Sequence, residues 1–450
     1  MNLLIHNATI FTNDDDNTIL QDVSLVIEGN RIIEVGPRLE LVERYRDYRR
    51  INAAGKLVMP GLINTHNHFY STFARGLSLP VTPRNFHEIL KFLWWKLDKA
   101  LDLEAVYYSA LVMALGAVKG GVTAVIDHHA SPNAVEGSLD QIEEALSLVG
   151  LRGILCYEIS DRDGIEVRKE GLLENERFAR KCELERQEDP DYPFDAMVGL
   201  HASFTLEDET LELAAELSNT LGKGCHIHLL EDQVDQRITR EKYEYGVVAR
   251  LLKFGILGEK SLTAHGIYLN EQGMGILADT GTMLAHNPRS NMNNAVGRAD
   301  IFAMLDQGIL VGLGSDGMSG SITPDILTAY LLHKHDLKNP NVGWSEIEEL
   351  ALKNNPEIFL RISGQKVGKI IPGYLADVII VDYYPPTPMT SENFWGHVLF
   401  GILEAPVDTS IINGRLVMEN KIFPDIDEEE IAAEAHMVAQ EVWRRFYENS

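Results

Sequence analysis

Hydrophobic and polar residues alternate over short runs at both ends of the chain. Residues 1–58 contain the runs LLIHNATIF, VSLVIEGNRIIEVG and KLVMP, which are rich in β-forming residues and are separated by Gly, Asn and Asp. Short β-forming runs return after residue 365, in GYLADVIIVD and TSIINGRLVMEN. Because the cost of closing a loop grows slowly with its length, these distant segments can pair. We therefore predict one small composite β-sandwich, built from residues 1–58 and residues 366–420.

The pattern between these two segments is different. Over residues 59–365, apolar bursts of strand length alternate with longer stretches of helical periodicity, such as 103–119 and 206–221. The bursts are TAVIDHH, GILCYEIS, AMVGLHASF, GCHIHLLE, SLTAHG, TMLAHNP and ILVGLGSDG. Repeated βα units build a parallel sheet, and their number here approaches the eight that close a barrel. We predict an α/β fold in which residues 59–365 form a (β/α)8 TIM-like barrel, with residues 421–450 as a C-terminal helix over 426–448.

Charge and cysteine content narrow the class of protein. The formal net charge is −27 and the pI is near 4.9; because phosphate surfaces require Lys and Arg patches, we expect neither nucleic acid nor a membrane as a partner. The three cysteines, Cys156, Cys182 and Cys225, are scattered and odd in number, which argues against a disulfide framework. No run reaches the length of a membrane-spanning helix, and the N-terminus lacks the features of a secretory signal. We expect a cytoplasmic protein.

Two His-x-His pairs are the strongest candidates for chemistry. His66 and His68, in NTHNHFYS, are two apart on a predicted strand and share one face, as do His226 and His228 in CHIHLLED. Taken alone, such a pair is as typical of a core hydrogen-bonding role as of a metal site. Functional residues of these barrels come from the C-terminal ends of strands, so we favour His228 as a ligand and His226 as a structural residue. Glu231 follows in the βα loop.

Two later strand ends carry residues of the same kind. His265 ends the burst TAHG, and Asp316 stands in GLGSDG, at corresponding positions of later βα units. An aspartate before glycine is usually a turn residue when it occurs alone. Because similar residues recur at four strand ends, a shared site is the better interpretation.

These motifs together resemble the amidohydrolase superfamily, in which an H-x-H on the first barrel strand, a His on the fifth, a His on the sixth and an Asp on the eighth form the site. The segments HNPRSNMNNAVG at 286–297 and GYLADVIIVD at 373–382 resemble its deaminase and chlorohydrolase branch. A closer resemblance, to the SsnA group of aminohydrolases, rests on THNHFYS, LWWKLDKAL, VIDHHASP, PRSNMNN and VWRRF. The resemblance spans nearly the whole chain.

The resemblance implies a metal-dependent aminohydrolase that deaminates a small, nitrogen-rich and heterocyclic compound with water. It implies one divalent metal ion, with zinc favoured and iron as the alternative, held by His66, His68, His228 and Asp316. Asp316 is then expected to take a proton from the attacking water, and Glu231 to carry a proton to the ring and to the leaving ammonia. His265 is expected to stabilise the water or the substrate. A homo-oligomer is expected by family analogy.

Substrate contacts and a second metal are less constrained by the sequence. His201 stands where binuclear relatives carry a bridging lysine, which favours a single metal, although Glu158 could bridge a second ion. Of His128 and His129, we predict that His129 contacts the substrate, with support of the metal ligands as the alternative. Trp94 is predicted to stack on a flat heterocycle, with helix packing as the alternative. The segment PRNFHEILKFLWW is expected to form part of a lid.

Two other classes of function compete with deamination. The same constellation could open a cyclic amide or remove a halide from a ring, and release of ammonia would separate these reactions. A barrel that binds metal without catalysis is the second rival, because a fold alone does not imply activity. A deaminase with cysteine ligands is excluded, since the chain has no P-C-x-x-C element.

Overall fold

The computed structural model describes residues 2–448. Met1, Asn449 and Ser450, which belong to the predicted terminal segments, lie outside the described residues. The strands are β1 (Asn2–Phe11), β2 (Ile19–Glu28), β3 (Arg31–Pro37), β4 (Arg49–Asn52), β5 (Leu57–Pro60), β6 (Leu62–Asn67), β7 (Val122–His129), β8 (Arg152–Tyr157), β9 (Phe194–Ala196), β10 (Val198–Ala202), β11 (Cys225–Leu229), β12 (Leu262–His265), β13 (Met283–His286), β14 (Val311–Leu313), β15 (Val378–Val381), β16 (Val407–Ile412) and β17 (Arg415–Met418).

The α-helices are α1 (Arg38–Arg44), α2 (Phe86–Ile89), α3 (Trp95–Leu97), α4 (Leu103–Lys119), α5 (Ser138–Val149), α6 (Ile165–Glu188), α7 (Asp208–Leu221), α8 (Gln233–Tyr243), α9 (Val247–Lys253), α10 (Glu271–Thr280), α11 (Pro288–Asn293), α12 (Ile301–Asp306), α13 (Thr323–Leu337), α14 (Ser345–Glu348), α15 (Asn355–Ser363), α16 (Phe394–Phe400) and α17 (Glu428–Glu448). Short 3-10 turns occur at Phe69–Ala74, Asp98–Ala100, Ser203–Thr205 and Ile402–Glu404, and π-helical turns at Leu90–Trp94 and Glu349–Asn354.

One sheet combines strands from both ends of the chain. Its order is β17-β16-β15-β5-β1-β2-β3, and β4 also pairs with β1. The two chain ends meet where β15 runs antiparallel to β5, with Val378 opposite Pro60. Alternate side chains such as Leu3, Ile5 and Ile380 are buried in one cluster on this sheet, as the period-2 pattern predicts. Strands separated by about 300 residues in the sequence therefore do pair, as expected.

Two parallel sheets fill the middle of the chain, one ordered β6-β7-β8-β9 and the other β10-β11-β12-β13-β14. Every residue of these nine strands is buried, which explains why they read as continuous apolar bursts rather than alternating runs. Each of the seven predicted bursts contains strand. Two single parallel bridges link the sheets, Ile159 with Leu200 and Asn67 with Asp316.

Helices lie between the strands close to the predicted positions. The predicted helix 103–119 is α4, where the Asp102 carboxylate accepts a hydrogen bond from Ala105 N at 2.9 Å and so caps the first turn. The predicted helix 206–221 begins later, at Asp208, because Glu207 keeps an extended backbone. The C-terminal helix starts at Glu428, since Asp427 accepts hydrogen bonds from the amides of Glu429 and Glu430.

A buried ion pair connects the parallel strands to the sheet built from both chain ends, which contains parallel and antiparallel pairs and is called the mixed sheet below. Arg152, at the start of β8, donates from Nε to Asp377 Oδ2 at 2.7 Å, and both side chains are fully buried. Its other nitrogens donate to Asn413 and Gln365. Because this contact lies at the N-terminal end of β8, the C-terminal ends of the parallel strands remain available for a site.

Within residues 2–448, no single helix has both the length and the apolar composition needed to cross a membrane.

Candidate metal centre

Four predicted residues converge at the C-terminal ends of three parallel strands. His68 Nε2 lies 3.1 Å from Asp316 Oδ1 and 3.1 Å from His228 Nε2, while His66 Nε2 lies 3.7 Å from the same Asp316 oxygen. The histidines come from β6 and β11, and Asp316 follows β14. The structure therefore brings together all four residues predicted as metal ligands.

His265 and Glu231 lie beside this cluster. His265 Nε2 is 3.5 Å from Glu231 Oε2 and 3.8 Å from Asp316 Oδ2. Asn294 donates to Glu231 Oε1 at 3.3 Å, and about 12% of the Glu231 side chain is exposed, toward the cavity. Glu231 and Asp316, predicted to move protons, and His265, predicted to stabilise the water or the substrate, thus lie together, with one ligand atom of each within 4.8 Å of the others.

An unusual backbone conformation orients the side chains of His265 and Asp316. His265 and Asp316 adopt φ values of 76° and 53°, in the left-handed region that residues with a side chain rarely occupy. Such conformations cost free energy and persist only where the surroundings enforce them, and they cluster at functional sites. At these strand ends they turn the chain so that both side chains face the cluster.

Hydrogen bonds on the far side of each ring fix which nitrogen faces the centre. The Nδ1–H groups of His68 and His228 donate to the carbonyls of His128 and His201, at 2.5 and 2.8 Å, and His265 Nδ1–H donates to Asn291 Oδ1 at 2.8 Å. Because Nδ1 carries the proton in each neutral ring, the Nε2 lone pair points inward, which is the arrangement of metal-binding histidines.

The cluster has the chemistry of a divalent cation site. His66 Nε2 and His265 Nε2 are buried without a hydrogen-bond partner, although buried polar atoms are normally paired. Imidazole nitrogens with one carboxylate are typical ligands of zinc and related ions. His226, predicted to be structural, lies behind His66 with its Nε2 3.0 Å from His66 Nδ1. The residues present therefore fit the implied metal.

Burial and charge set the protonation of the cluster. Burial lowers the pKa values of His66 and His228 well below the ordinary value, which favours the neutral imidazoles that bind metals. Burial also acts to lower the pKa of His68, but the Asp316 carboxylate outweighs it and raises that pKa to about 9. A proton on His68 Nε2 and a cation bound to that nitrogen exclude each other.

The pKa of the Glu231 carboxyl is raised. Burial raises the pKa of its carboxyl to about 7; the Asp316 carboxylate adds to the rise, while His265 opposes it. A carboxyl with a pKa near neutrality can both donate and accept a proton under ordinary conditions, as a general acid and base must.

A second group of polar side chains, His128, Glu158 and His201, adjoins the cluster. His128 Nδ1 lies 3.2 Å from Glu158 Oε2, and His201 Nε2 lies 3.9 Å from Glu158 Oε1. One ligand atom each from His68, His128, Glu158 and His228 lie within 4.8 Å of one another. The roles of His128, Glu158 and His201 were open from the sequence, and the structure places all three beside the ligands.

A cavity of about 630 Å3, including its open mouth, leads to these residues. Its wall is formed by the candidate metal ligands together with part of the segment 83–95, which the sequence predicted as part of a lid. The lining residues are His68, Tyr70, Ser71, Phe86, Leu90, Trp94, Trp95, Asp98, Glu158, His201, His228, Glu231, Ser290, Asn293, Asn294, Asp316, Gly317 and Met318. Trp94, predicted to contact substrate, therefore lies on the cavity wall, as the last residue of the π-helical turn Leu90–Trp94.

His129 lies elsewhere. Its side chain is fully buried, its Nε2 is 2.9 Å from Ser131 Oγ, and it is not among the cavity-lining residues of the described chain. Successive side chains of a strand point to opposite faces, so His128 faces the metal cluster while His129 faces away. The structure therefore does not place His129, predicted to contact the substrate, on the cavity wall, because the alternation of side chains along β7 turns it to the opposite face.

Three supporting residues were not assigned roles from the sequence. Asn291 and Asn294 hold His265 and Glu231, and Asp127 Oδ1 accepts hydrogen bonds from Asn67 Nδ2 and Phe69 N at 3.0 and 2.8 Å. All three stand within the motifs PRSNMNN and VIDHHASP. Those motifs indicated the region, but spacing alone does not show which polar side chain reaches which partner.

A buried set of imidazoles and carboxylates at the ends of parallel strands defines the site of a metal-dependent hydrolase. Residues 57–417 match the model of the amidohydrolase family, and the chain belongs to this family. The predicted superfamily is thereby confirmed, and with it the prediction of a hydrolase acting on carbon–nitrogen bonds other than peptide bonds. Ligand atoms of His66, His68 and Asp316 lie within 4.8 Å of one another, close enough to share one metal ion.

Named relatives match over almost the full length. A 5-methylthioadenosine/S-adenosylhomocysteine deaminase from Pelotomaculum thermopropionicum is 31% identical over 96% of this chain and 97% of its own. A 5'-deoxyadenosine deaminase from Methanosarcina acetivorans is 31% identical over 98% of this chain and 99% of its own. These relatives agree with the predicted class, a metal-dependent aminohydrolase.

Solved structures share the fold. An adenosine deaminase from Xanthomonas campestris with bound zinc superposes with a TM-score of 0.83 at 21% identity, over 98% of each chain. The atrazine chlorohydrolase from Arthrobacter aurescens complexed with zinc has a TM-score of 0.80 at 21% identity, over 97% of this chain and 100% of the other. At these identities the likeness concerns the fold.

Proposed function

We propose that this protein removes an amino group, as ammonia, from an amino-substituted nitrogen heterocycle with water as co-substrate. The carrying observation is Glu231, a cavity-lining carboxyl with a pKa near 7, placed 3.5 Å from His265 and beside Asp316. A group that can give and take a proton is what ammonia release requires, since the amine leaves only after protonation. Adenosine-like compounds, named as substrates of the relatives, are the first class to test.

The proposal assigns one divalent ion to His66, His68, His228 and Asp316, with zinc as first choice and iron as the alternative. When bound, such an ion lowers the pKa of water to about 7 and makes it a nucleophile at neutral pH. Zinc is supported by its presence in two structures that share the fold.

The remaining roles belong to side chains of this chain. An Asp316 oxygen accepts a proton from the attacking water, and His265 Nε2, held by Asn291, orients that water or the polarised substrate. A Glu231 oxygen delivers a proton to the ring nitrogen and then to the leaving amine. Trp94 offers an aromatic face against which a flat ring stacks.

We propose that the two parallel sheets close into one eight-stranded barrel over residues 59–365, with β9 and β10 acting as one interrupted strand. The two bridges that link the sheets support this closure. Residues 1–58 and 366–420 are proposed as the two parts of a β-sandwich domain, followed by the helical segment 421–450; the shared mixed sheet supports this division.

The proposed partners are a small molecule and water, with neither nucleic acid nor a membrane, and a homo-oligomer is proposed by family analogy. The proposed location is the cytoplasm. Three free, buried cysteines support a reducing compartment.

Metal content and product identity together test the proposal. The purified protein is assayed for metal, and then for ammonia release from adenosine-like nucleosides, other purines, pterins, pyrimidines and triazines. About one metal per chain with ammonia release supports the proposal. Metal binding with only ring opening or halide release overturns deamination but leaves the metal site standing, whereas failure to bind metal overturns the ligand assignment.

A further inference from the structure

The cavity wall formed by Glu158 and His201 has an unusual hydrogen-bonding character. Glu158 is 6% exposed, and both residues line the cavity. Glu158 contributes two carboxylate oxygens, and its Oε1 faces His201 Nε2 at 3.9 Å. Whether these atoms can pair with each other depends on which of them carries a hydrogen.

His201 presents a bare nitrogen to the cavity. Its Nδ1 lies 2.6 Å from Thr205 Oγ, and that hydroxyl already donates to the carbonyl of Ala202 at 3.0 Å. Thr205 Oγ must therefore accept the hydrogen of His201 Nδ1, and the neutral ring has a lone pair on Nε2.

His128 lies on the other side of Glu158, and its hydrogen-bond partners show which of its ring nitrogens faces the carboxylate. Its Nε2 lies 3.1 Å from the carbonyl oxygens of Leu200 and His226, so Nε2 carries the hydrogen. Its Nδ1 faces Glu158 Oε2 at 3.2 Å, the separation at which an imidazole N–H donates to a carboxylate. Glu158 Oε2 thus has a partner in His128, whereas Oε1 faces the acceptor nitrogen of His201, and a buried oxygen in this state is stabilised by a donor supplied from elsewhere.

We propose that Glu158, together with His201, selects substrates whose ring carries an N–H donor next to the reacting carbon, as in the lactam edge of guanine or isocytosine. A ligand atom of Glu158 lies within 4.8 Å of those of His68 and His228, so a ring that reaches the metal ligands also reaches this wall. The ring nitrogens of an adenine nucleoside are acceptors only and face the wall without a hydrogen. This inference rests on the proposed function; among the proposed amino-substituted heterocycles it favours rings with this N–H over the adenosine-like compounds named for the relatives.

Two matched ligand pairs test the inference by binding, which requires no turnover. Guanosine is compared with its O6-methyl ether, and isocytosine with its O-methyl ether; each ether keeps the amino group and loses the ring N–H. Dissociation constants are measured by calorimetry on the zinc-loaded protein. The wild type is expected to bind at least one parent compound about 10- to 100-fold more tightly than its ether, the range for a hydrogen bond to a charged acceptor.

Glu158→Gln is the decisive variant, because its amide offers a donor as well as an acceptor at the same size. It is expected to lose the preference for the parent compound while its zinc content stays equal to that of the wild type. Asp163→Asn removes a carboxylate from the same loop, where Asp163 pairs with Lys99 and Arg162 away from the cavity lining. This control is expected to keep the wild-type preference.

The outcomes distinguish a wrong role for Glu158 from a wrong assignment of deamination. Equal binding of parent and ether, binding of neither pair, or an unchanged preference in Glu158→Gln overturns the role of Glu158. A fall in zinc content in Glu158→Gln also overturns it, because the carboxylate would then be a metal ligand. A preserved preference without release of ammonia from any heterocycle leaves the wall assignment intact and overturns the proposed deamination alone.

Discussion

The chemistry of this site depends on which atom of each side chain faces the centre. Carbonyls and an amide oxygen hold the Nδ1–H groups of His68, His228 and His265, so that three Nε2 lone pairs point the same way. Glu231 lies just outside this set and has a pKa near 7. Glu231 is proposed to transfer protons without binding the metal, so its substitution tests proton transfer separately from metal binding.

Replacing Glu231 with Gln is expected to lower kcat for ammonia release by about 100- to 10,000-fold, the usual contribution of general acid–base catalysis. The amide keeps the hydrogen bond to Asn294 but cannot carry the proton. Metal content is expected to stay unchanged. Steady-state ammonia assays and metal analysis of the same preparation check both parts.

The neighbouring Asp232 supplies the control. Its carboxylate accepts a hydrogen bond from Val234 N at 2.9 Å and caps α8. Asp232→Asn keeps this cap and is expected to leave kcat within about 2-fold. A Glu231→Gln enzyme as active as this control would contradict the role given to Glu231.

Replacing Asp316 with Asn is expected to weaken zinc binding by more than the about 10- to 100-fold that loss of an outer hydrogen-bond partner costs. Asp316 is the one carboxylate in the proposed ligand set, and it lies within 3.7 Å of two ligand histidines. Competition with a calibrated chelator measures the affinity. Zinc binding as tight as in the wild type would remove Asp316 from the ligand set.

At the scale of elements, the two ends of the parallel strands have different roles: the C-terminal ends carry the candidate site, and the N-terminal end of β8 contributes to stability. The C-terminal ends of β6, β11 and β12 carry site residues, while the N-terminal end of β8 carries Arg152, buried against Asp377 of the mixed sheet. This arrangement is the one expected of parallel barrel strands. The two ends can therefore be perturbed separately.

Replacing Asp377 with Ala leaves the Arg152 guanidinium buried without its carboxylate and is expected to lower the free energy of unfolding by about 3–5 kcal/mol. Both side chains are fully buried, so solvent does not screen the pair. Denaturant unfolding of the metal-loaded protein measures the change. Arg180→Ala, which removes the exposed ion pair with Glu176, is the control and is expected to have little effect. Equal effects of the two changes would contradict the proposed link between the sheets.

At the scale of the whole molecule, the metal is expected to couple the strands to one another. Its four proposed ligands come from strands at the beginning, middle and end of the parallel sheets, so unfolding of any of these segments destroys the site. An ion that binds only the folded chain raises its stability in proportion to its free concentration.

Zinc added to the metal-free protein at 100 times its dissociation constant is expected to raise Tm by about 3 °C, from about 2.7 kcal/mol of binding linkage spread over a chain of this length. Differential scanning calorimetry measures the shift, and Asp316→Asn is expected to show a smaller one at the same zinc concentration. A wild-type Tm that does not respond to zinc would contradict a structural coupling through the site.

Much of this architecture follows from the sequence because periodicity is a local property. The apolar bursts predicted the parallel strands, and capping residues such as Asp102 explain where α4 begins. The recurrence of histidine and aspartate at strand ends predicted this cluster of candidate ligands, since the C-terminal ends of parallel strands lie on one side of the sheets. The exact start of α7 was missed because Glu207 keeps an extended backbone that no spacing rule reveals.

The sequence by itself predicted the parallel strands, the family, and the residues that the structure brings together as candidate metal ligands, because each depends on spacing and motifs within short segments. Only the tertiary structure decided which of His128 and His129 faces the ligands, which ring nitrogen each histidine presents, and that Glu158 meets His201 at the cavity wall. These features depend on strand register and on hydrogen-bond partners distant in the sequence. A buried polar atom normally requires a hydrogen-bond partner, and that partner is set only when the strands are assembled.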